Sequence, residues 1–297
     1  MKLRGKYLFS KLNEENKKDF HDYCWLYASD IDQSFYPLTE DFEIKQTRPG
    51  FLLYENDEVM GAVCLILDDS FTHQGKGRLM IFHSRIKEVD VYSDLLKKVL
   101  PFAEEKEIDL FFAFLPEKKP IERYLYKGSG FKKSRTAIHL KRELKRSPSI
   151  TLPEGFSFRH FKPSNDMDTW CSIINTAYRD IPGHIPYTPG MVEEDIETDS
   201  TFPGSARFLT CKGKPVGLFY CSLEASDELW ISQLAVLPEF RKKGLGKILL
   251  RKCLQYAWEF NADCAFTLNA ENIAGFKLFK SEGFKIISRY IAYVFSL

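Results

Sequence analysis

The chain has 297 residues, 44% hydrophobic and 28% charged, with 42 Lys and Arg against 41 Asp and Glu. That length accommodates two domains of ordinary size, and that mixture is the composition of a soluble globular protein. A net charge of +1 excludes a global field that recruits nucleic acid, and no apolar run approaches the roughly 18 residues of a membrane span.

In chain order, residues 13–28 read as one or two short helices, and 50–67 as a hairpin turning at 55–58. Residues 78–82 form a short strand, and 92–106 a helix with Leu95, Leu96, Val99 and Leu100 inward. A buried strand follows at 110–115, then a helix at 120–127 with Pro120 near its start, then a strand at 136–144. Residues 144–149, LKRSPS, are charged and then rich in Ser and Pro. They read as a linker, so the expected domains are 1–146 and 150–297.

The second half repeats the plan. Residues 156–159 form a strand, 166–178 a helix and 191–198 a short helix. Residues 179–190 hold three prolines and two glycines and read as a structured loop. A hairpin spans 206–211 and 216–223, and a strand runs from Glu228 to about Leu237. Pro238 cannot continue a central ladder. Leu229, Ile231, Gln233 and Ala235 are expected on one strand face, and Trp230, Ser232, Leu234 and Val236 on the other. Next comes a helix whose apolar stripe is Leu245, Ile248, Leu249, Cys253, Tyr256 and Phe260. A strand at 265–268, a helix at 273–281 and a strand at 285–295 close the order. A hairpin sheet followed by β-α-β-α-β implies an α/β fold with helices on both sheet faces.

The seven cysteines include no C-x-x-C pair, and the six histidines form no H-E-x-x-H. Buried free thiols, no metal site and a cytoplasmic location are expected. The charged opening MKLRGKYLFSKLNEENKK lacks the apolar run of a signal peptide.

The loop Arg241-Lys242-Lys243-Gly244-Leu245-Gly246 joins the central strand to the following helix. The first amides of a helix have no internal partner, and the helix dipole adds partial positive charge there. Gly244 and Gly246 let a ligand approach the backbone, and Arg241, Lys242, Lys243 and Lys247 add full charges. The sum is a cradle suited to a diphosphate. There is no G-x-x-x-x-G-K-[ST], and the third glycine of a dinucleotide fingerprint is missing.

The halves also resemble each other. LPEKKPIERYLYKGSGF (115–131) and LNAENIAGFKLFKSEGF (268–284) share Leu, an aromatic residue and a Gly-Phe pair, which indicates an internal duplication. Where the second half has its cradle, the first has SRIKEVD at 84–90, with no glycine. Glu88 and Asp90 at that helix start repel a phosphate. The first half is therefore expected to keep the fold without the cradle.

The segment LAVLPEFRKKGLG, 234–246, resembles the cofactor motif of the GNAT superfamily of acetyl-CoA-dependent N-acetyltransferases. Asn272, Leu278, Phe279, Gly283 and Phe284 match its second motif, N-x-x-A-x-x-L-Y-x-K-x-G-F, with Gly275, Phe279 and Ser281 in place of Ala, Tyr and Lys. The close match covers roughly the last third of the chain. The resemblance implies two tandem GNAT-like domains, each a mixed, mainly antiparallel sheet flanked by helices, the first degenerate. It implies acetyl-CoA bound by Leu234, Ala235, Val236, Arg241 to Lys247, Asn272 and Phe279, and transfer to a primary amine of a small molecule or peptide. Tyrosine at the position of Phe279 often reprotonates the CoA thiolate in that family, so its absence points to another acid, or to a protein that binds CoA without turnover. A longer acyl donor also stays open.

Glu228 is the first candidate base, on the face expected to hold Leu234, and Glu224 the second. Tyr290 and Tyr293 are candidate acids. Asn272 either caps a helix or bonds the cofactor. Tyr178, His184 and Tyr187, in or beside the 179–190 loop, are expected to line the acceptor pocket.

Overall fold

The computed structural model describes residues 7–32, 37, 39, 40, 42–143, 146–181, 184, 186–198, 202–224 and 228–297. By contacts the chain forms two units, Met1–Arg135 with Tyr290–Leu297, and Thr136–Arg289.

In the first unit, β1 (Leu8–Lys11), β2 (Gly50–Glu55), β3 (Glu58–Ile66) and β4 (Lys76–Ser84) pair antiparallel in sequence order. β5 (Leu110–Pro116) pairs parallel with β4 only at Lys76–Arg78. The helices are α1 (Lys17–Leu26), α2 (Asp69–Thr72), α3 (Val89–Glu105) and α4 (Pro120–Gly128). Along α3, Val91, Tyr92, Leu95, Leu96, Val99 and Ala103 recur at helical spacing and enter one core with Phe82, Tyr126 and Phe131. β1 and α2 were not expected, since four-residue elements are too short to show a period.

In the second unit, β6 (Lys132–Arg142) pairs antiparallel with β11 (Asp263–Asn269) through Ala137–Arg142. β7 (Phe156–His160), β8 (Ala206–Cys211), β9 (Lys214–Glu224) and β10 (Glu228–Val236) continue as an antiparallel run. α5 (Pro163–Tyr178) and α6 (Pro189–Thr198) pack on one face, and α7 (Leu245–Glu259) and α8 (Ile273–Ser281) on the other, each face with its own core. The α/β arrangement, with a mainly antiparallel sheet flanked by helices, agrees with the expectation.

The last strand, β12 (Lys285–Ser296), pairs through Tyr290–Ser296 with β5 of the first unit. The division by contacts therefore does not fall at 146–150. Thr136–Arg142 serves the second unit, and Tyr290–Ser296 the first. Alternation marks a segment as a strand without naming the neighbour that takes it. Leu144 and Lys145 of the expected linker lie outside the described residues.

Candidate active site

The site is built on β10. Against β9 it pairs from Glu228 to Val236, but against β11 it pairs only at Glu228–Trp230. From Ile231 onward its other edge has left β11, so peptide groups on that edge point into an opening. At Ser232 a β-bulge adds one residue against β9 and reverses the alternation. Leu229 and Ile231 lie in the core under α7 together with Leu234 and Val236. Gln233 and Ala235 face α5 instead, Gln233 by accepting a 2.7 Å hydrogen bond from the Trp170 indole. The expected assignment of faces fails at this bulge, because strict alternation cannot include an extra residue.

After β10 the chain makes a 3-10 turn, Pro238–Phe240. Lys242 and Gly244 then take left-handed conformations, φ 61° and 77°. Gly244 is the N-cap of α7, and a Cβ there would meet nothing within 4 Å. At Gly246 a Cβ would lie 3.2 Å from Leu278 of α8, so this glycine permits close helix packing. The first helical bonds run from the Lys247 and Ile248 amides to the Gly244 carbonyl. The amides of Lys242, Lys243, Gly244, Leu245 and Gly246 have no acceptor among the described residues. They project from the positive end of the helix dipole.

Two of the expected cations are engaged elsewhere. The Arg241 amide donates to the Pro238 carbonyl, and its guanidinium donates to the carbonyls of Val236 (3.1 Å) and Ala177. It ties the end of β10 to the last turn of α5, where helix carbonyls lack internal partners. Lys247 lies 2.9 Å from Glu282, which also accepts from Arg251 at 3.0 and 3.2 Å. Burial raises the Glu282 pKa, but the hydrogen bonds from Arg251 and Lys247 outweigh it and hold the carboxyl below its ordinary value. Lys242 and Lys243 are exposed. Arg142, Arg146, Lys247, Arg251 and Glu282 help line an adjoining cavity of about 780 Å³.

Known proteins resemble the segment that carries this arrangement. The acetyltransferase (GNAT) family matches residues 167–284. Over that segment, which holds β10, the glycine loop and α7, the chain is similar to the GNAT family. Similar relatives include mycothiol acetyltransferases of Streptomyces griseus, 27% identical over 139 residues, and Pseudarthrobacter chlorophenolicus, 25% over 146 residues. These matches cover 45% and 46% of this chain, and 44% and 45% of the relatives, so they span less than half of those proteins. A GCN5-related N-acetyltransferase of Sphaerobacter thermophilus shares the fold at a TM-score of 0.73 and 15% identity, covering 99% of this chain and 97% of its own. A tandem GNAT protein from the clavulanic acid biosynthesis pathway does so at 0.64 and 13%, covering 98% of each.

The other residues expected at the site have these partners within the protein. Asn272 caps α8, accepting from the Gly275 amide at 2.9 Å. A Cβ at residue 275 would come within 2.9–3.0 Å of the Asn272 side chain, which accounts for glycine where the family has alanine. Phe279 is buried, stacked on Phe266 at 4.3 Å and edge-on to Phe284 at 5.0 Å. It belongs to the core under α7. Glu228 pairs with Lys141 at 2.8 Å. The bulge puts Glu228 on the sheet face opposite Leu234, and six residues of strand, roughly 20 Å, separate the two. That is beyond direct proton transfer. The Glu224 side chain lies outside the described residues. Tyr290 pairs with Pro116 in the first unit, and Tyr293 is buried there against Tyr126.

The three loop residues gather around the end of α5. The Tyr178 hydroxyl donates to the Leu234 carbonyl at 2.8 Å and accepts from the Leu234 amide at 3.3 Å. Burial raises its pKa to about 12, so it stays a neutral phenol. His184 is edge-on to Tyr178 at 5.8 Å, and burial lowers its pKa. The Tyr187 backbone is clamped by Asn175, which accepts from its amide at 2.6 Å and donates to its carbonyl at 2.9 Å. Pro182, Gly183 and Ile185 lie outside the described residues. Sequence reasoning missed the Asn175 clamp and the chain Trp170–Gln233–Asp195, whose second bond is 3.2 Å. The available signal was Gln233 itself, a polar residue in an apolar strand.

The equivalent place in the first unit differs. Amides of Arg85, Ile86 and Glu88 are spent on the Met60 carbonyl, the Ser84 hydroxyl and the Ile86 carbonyl. Asp30, His83 and Glu122 bring ligand atoms within 4.8 Å of one another. However, Lys87 lies 3.0 Å from His83 and 3.1 Å from Glu122, and Lys119 lies 2.6 Å from Asp30. Ammonium groups thus stand where a cation would bind. Burial, then the Lys87 charge, lower the His83 pKa to about 3.

Proposed function

We propose that the Thr136–Arg289 unit binds acetyl-CoA and transfers the acetyl group to a primary amine. The observation that carries this reading is the pairing of two features on one strand–loop–helix. The β10 edge is open from Ile231, and a few residues on, unpaired amides and exposed Lys242 and Lys243 surround the left-handed Gly244. A diphosphate fits the second feature, because space lies where a Cβ would be and the dipole favours an anion. The cationic cavity beside Lys247 suits a further phosphate of the nucleotide portion.

Acetyl-CoA supplies an activated thioester. This chain's residues position it and stabilise developing charge. Lys242, Lys243 and the amides of Gly244 to Gly246 hold the diphosphate, and Arg241 fixes the loop by bonding Val236 and Ala177. The Leu234 amide, on the opened edge, is the donor for the thioester oxygen; such preorganised donors are worth about 2.7–4 kcal/mol in a transition state. Glu228, engaged by Lys141 and distant from Leu234, is not assigned the base role. The acceptor enters beside the α5 end, where Tyr178, His184 and Tyr187 meet. In the first unit two of the matching amides, those of Ile86 and Glu88, are consumed, and carboxylates of Glu88 and Asp90 stand at the α3 start, which supports its reading as a copy without a cradle.

The test is calorimetric titration of the full chain with acetyl-CoA, followed by mass spectrometry of products formed from acetyl-CoA and a metabolite extract. Saturable binding and new acetylated amines are expected. Binding without any product favours a CoA-binding role, and no binding refutes the reading.

A further inference from the structure

The proposed reaction leaves one contact on the opened strand edge without a role. The Leu234 peptide offers its amide and carbonyl to the opening, yet neither is vacant: one tyrosine hydroxyl takes both. Resting on the acetyl-CoA reading, we infer that Tyr178 is a positioning residue for acyl transfer. Its hydroxyl holds Leu234 until the thioester oxygen displaces it and accepts from the Leu234 amide in its place.

Three observations carry this. The first is exclusion. An oxygen 3.3 Å from the Leu234 nitrogen stands where any other acceptor of that amide must stand. The thioester oxygen and the Tyr178 hydroxyl cannot both occupy it. The second is what stays fixed. Arg241 bonds the Ala177 and Val236 carbonyls, so the main chain just before Tyr178 and just after Leu234 is held without help from the phenol. Displacement then needs side-chain rotation and leaves the helix end in place. The third is the contrast with the first unit, where phenols also cap the corresponding strand. Tyr92 accepts from the Ser84 amide at 3.1 Å, and Tyr126 donates to the Phe82 carbonyl at 2.9 Å. Those two rings are 0% and 1% exposed and locked among Phe82 and Phe131. Tyr178 is partly exposed and contacts only His184 among aromatic rings of the described residues. The phenol cap is sealed in one unit and releasable in the other.

The hydroxyl makes two roles possible, and they give opposite results in Tyr178→Phe. As an occupant that must leave, its removal frees Leu234 and tightens acetyl-CoA binding. Two hydrogen bonds, one of them long, correspond to about a tenfold gain. As a simple structural contact, its removal weakens binding or leaves it unaltered. Calorimetry of wild-type and Tyr178→Phe full-length chains with acetyl-CoA reads the difference, with the melting temperature as a control on folding. A tenfold tighter Kd is expected; equal or weaker binding by the variant, with the wild type binding, overturns this inference alone. Failure of both to bind removes the acetyl-CoA reading and this inference with it. In the wild type, NMR of ring-labelled tyrosine gives a second readout independent of the variant's stability. A Tyr178 resonance shifted on saturation supports displacement, and an unmoved one refutes it.

Discussion

Gly244→Glu separates the anion cradle from the fold that carries it. Residue 244 has φ 77°, so a side chain costs about 1 kcal/mol in backbone conformation. It meets no atom within 4 Å, so no packing cost is added. The carboxylate instead stands among the amides of Lys242 to Gly246. At about 5 Å from a diphosphate carrying about two charges, with an effective dielectric of about 40 at this exposed site, repulsion is about 3 kcal/mol. That is about a hundredfold in affinity. Urea unfolding and calorimetric titration with acetyl-CoA measure the two effects on the same sample. Stability is expected to fall by about 1 kcal/mol and affinity by about a hundredfold. Gly244→Asn, which tolerates the left-handed region, should recover most of the stability and much of the affinity. Unchanged affinity in Gly244→Glu refutes the cradle.

Glu282 gives a pH dependence. Its folded pKa is depressed by Arg251 and Lys247, so its stabilisation is present above the unfolded carboxylate value and lost as pH falls through the folded one. Glu282→Gln should flatten the acid limb of the unfolding profile below about pH 4.5; an unaltered limb refutes the assignment. Asn272→Ala removes the α8 cap and should cost about 1 kcal/mol in chemical unfolding, with Asn272→Asp retaining most of it. Gln233→Leu leaves the buried Trp170 indole N–H unpaired and should cost about 1–3 kcal/mol. The double change with Trp170→Phe should cost less than the sum of the singles, and strict additivity counts against the bond.

The strand–loop–helix from Glu228 to Glu259 was legible because three signals agree there: alternation, Pro238 and Gly244 as breaks, and a helical apolar stripe. What the segment does in detail was less so. Alternation assigns faces only while one residue opposes one, and the Ser232 bulge ends that condition. Basic residues in a row suggest a field, yet Arg241 and Lys247 spend theirs on neighbours distant in sequence, Ala177 and Glu282. A motif position singled out Phe279 but gave no sign of the Phe266 and Phe284 rings that fix it. Tyr178 was singled out only as part of a loop-lined pocket. Its partner, the Leu234 peptide, is a backbone group and leaves no mark on the sequence.

The crossing of the closing strands bears on how the duplication can be taken apart. Cutting the gene at the Ser/Pro stretch would give two products that each retain the other's edge strand: the amino-terminal one keeps Thr136–Arg142, and the carboxy-terminal one keeps Tyr290–Ser296. β5 and β11 would each be left with a bare ladder, the kind of surface that seeks any available strand. With that exchange in place, neither half keeps its own closing strand when it is separated from the other.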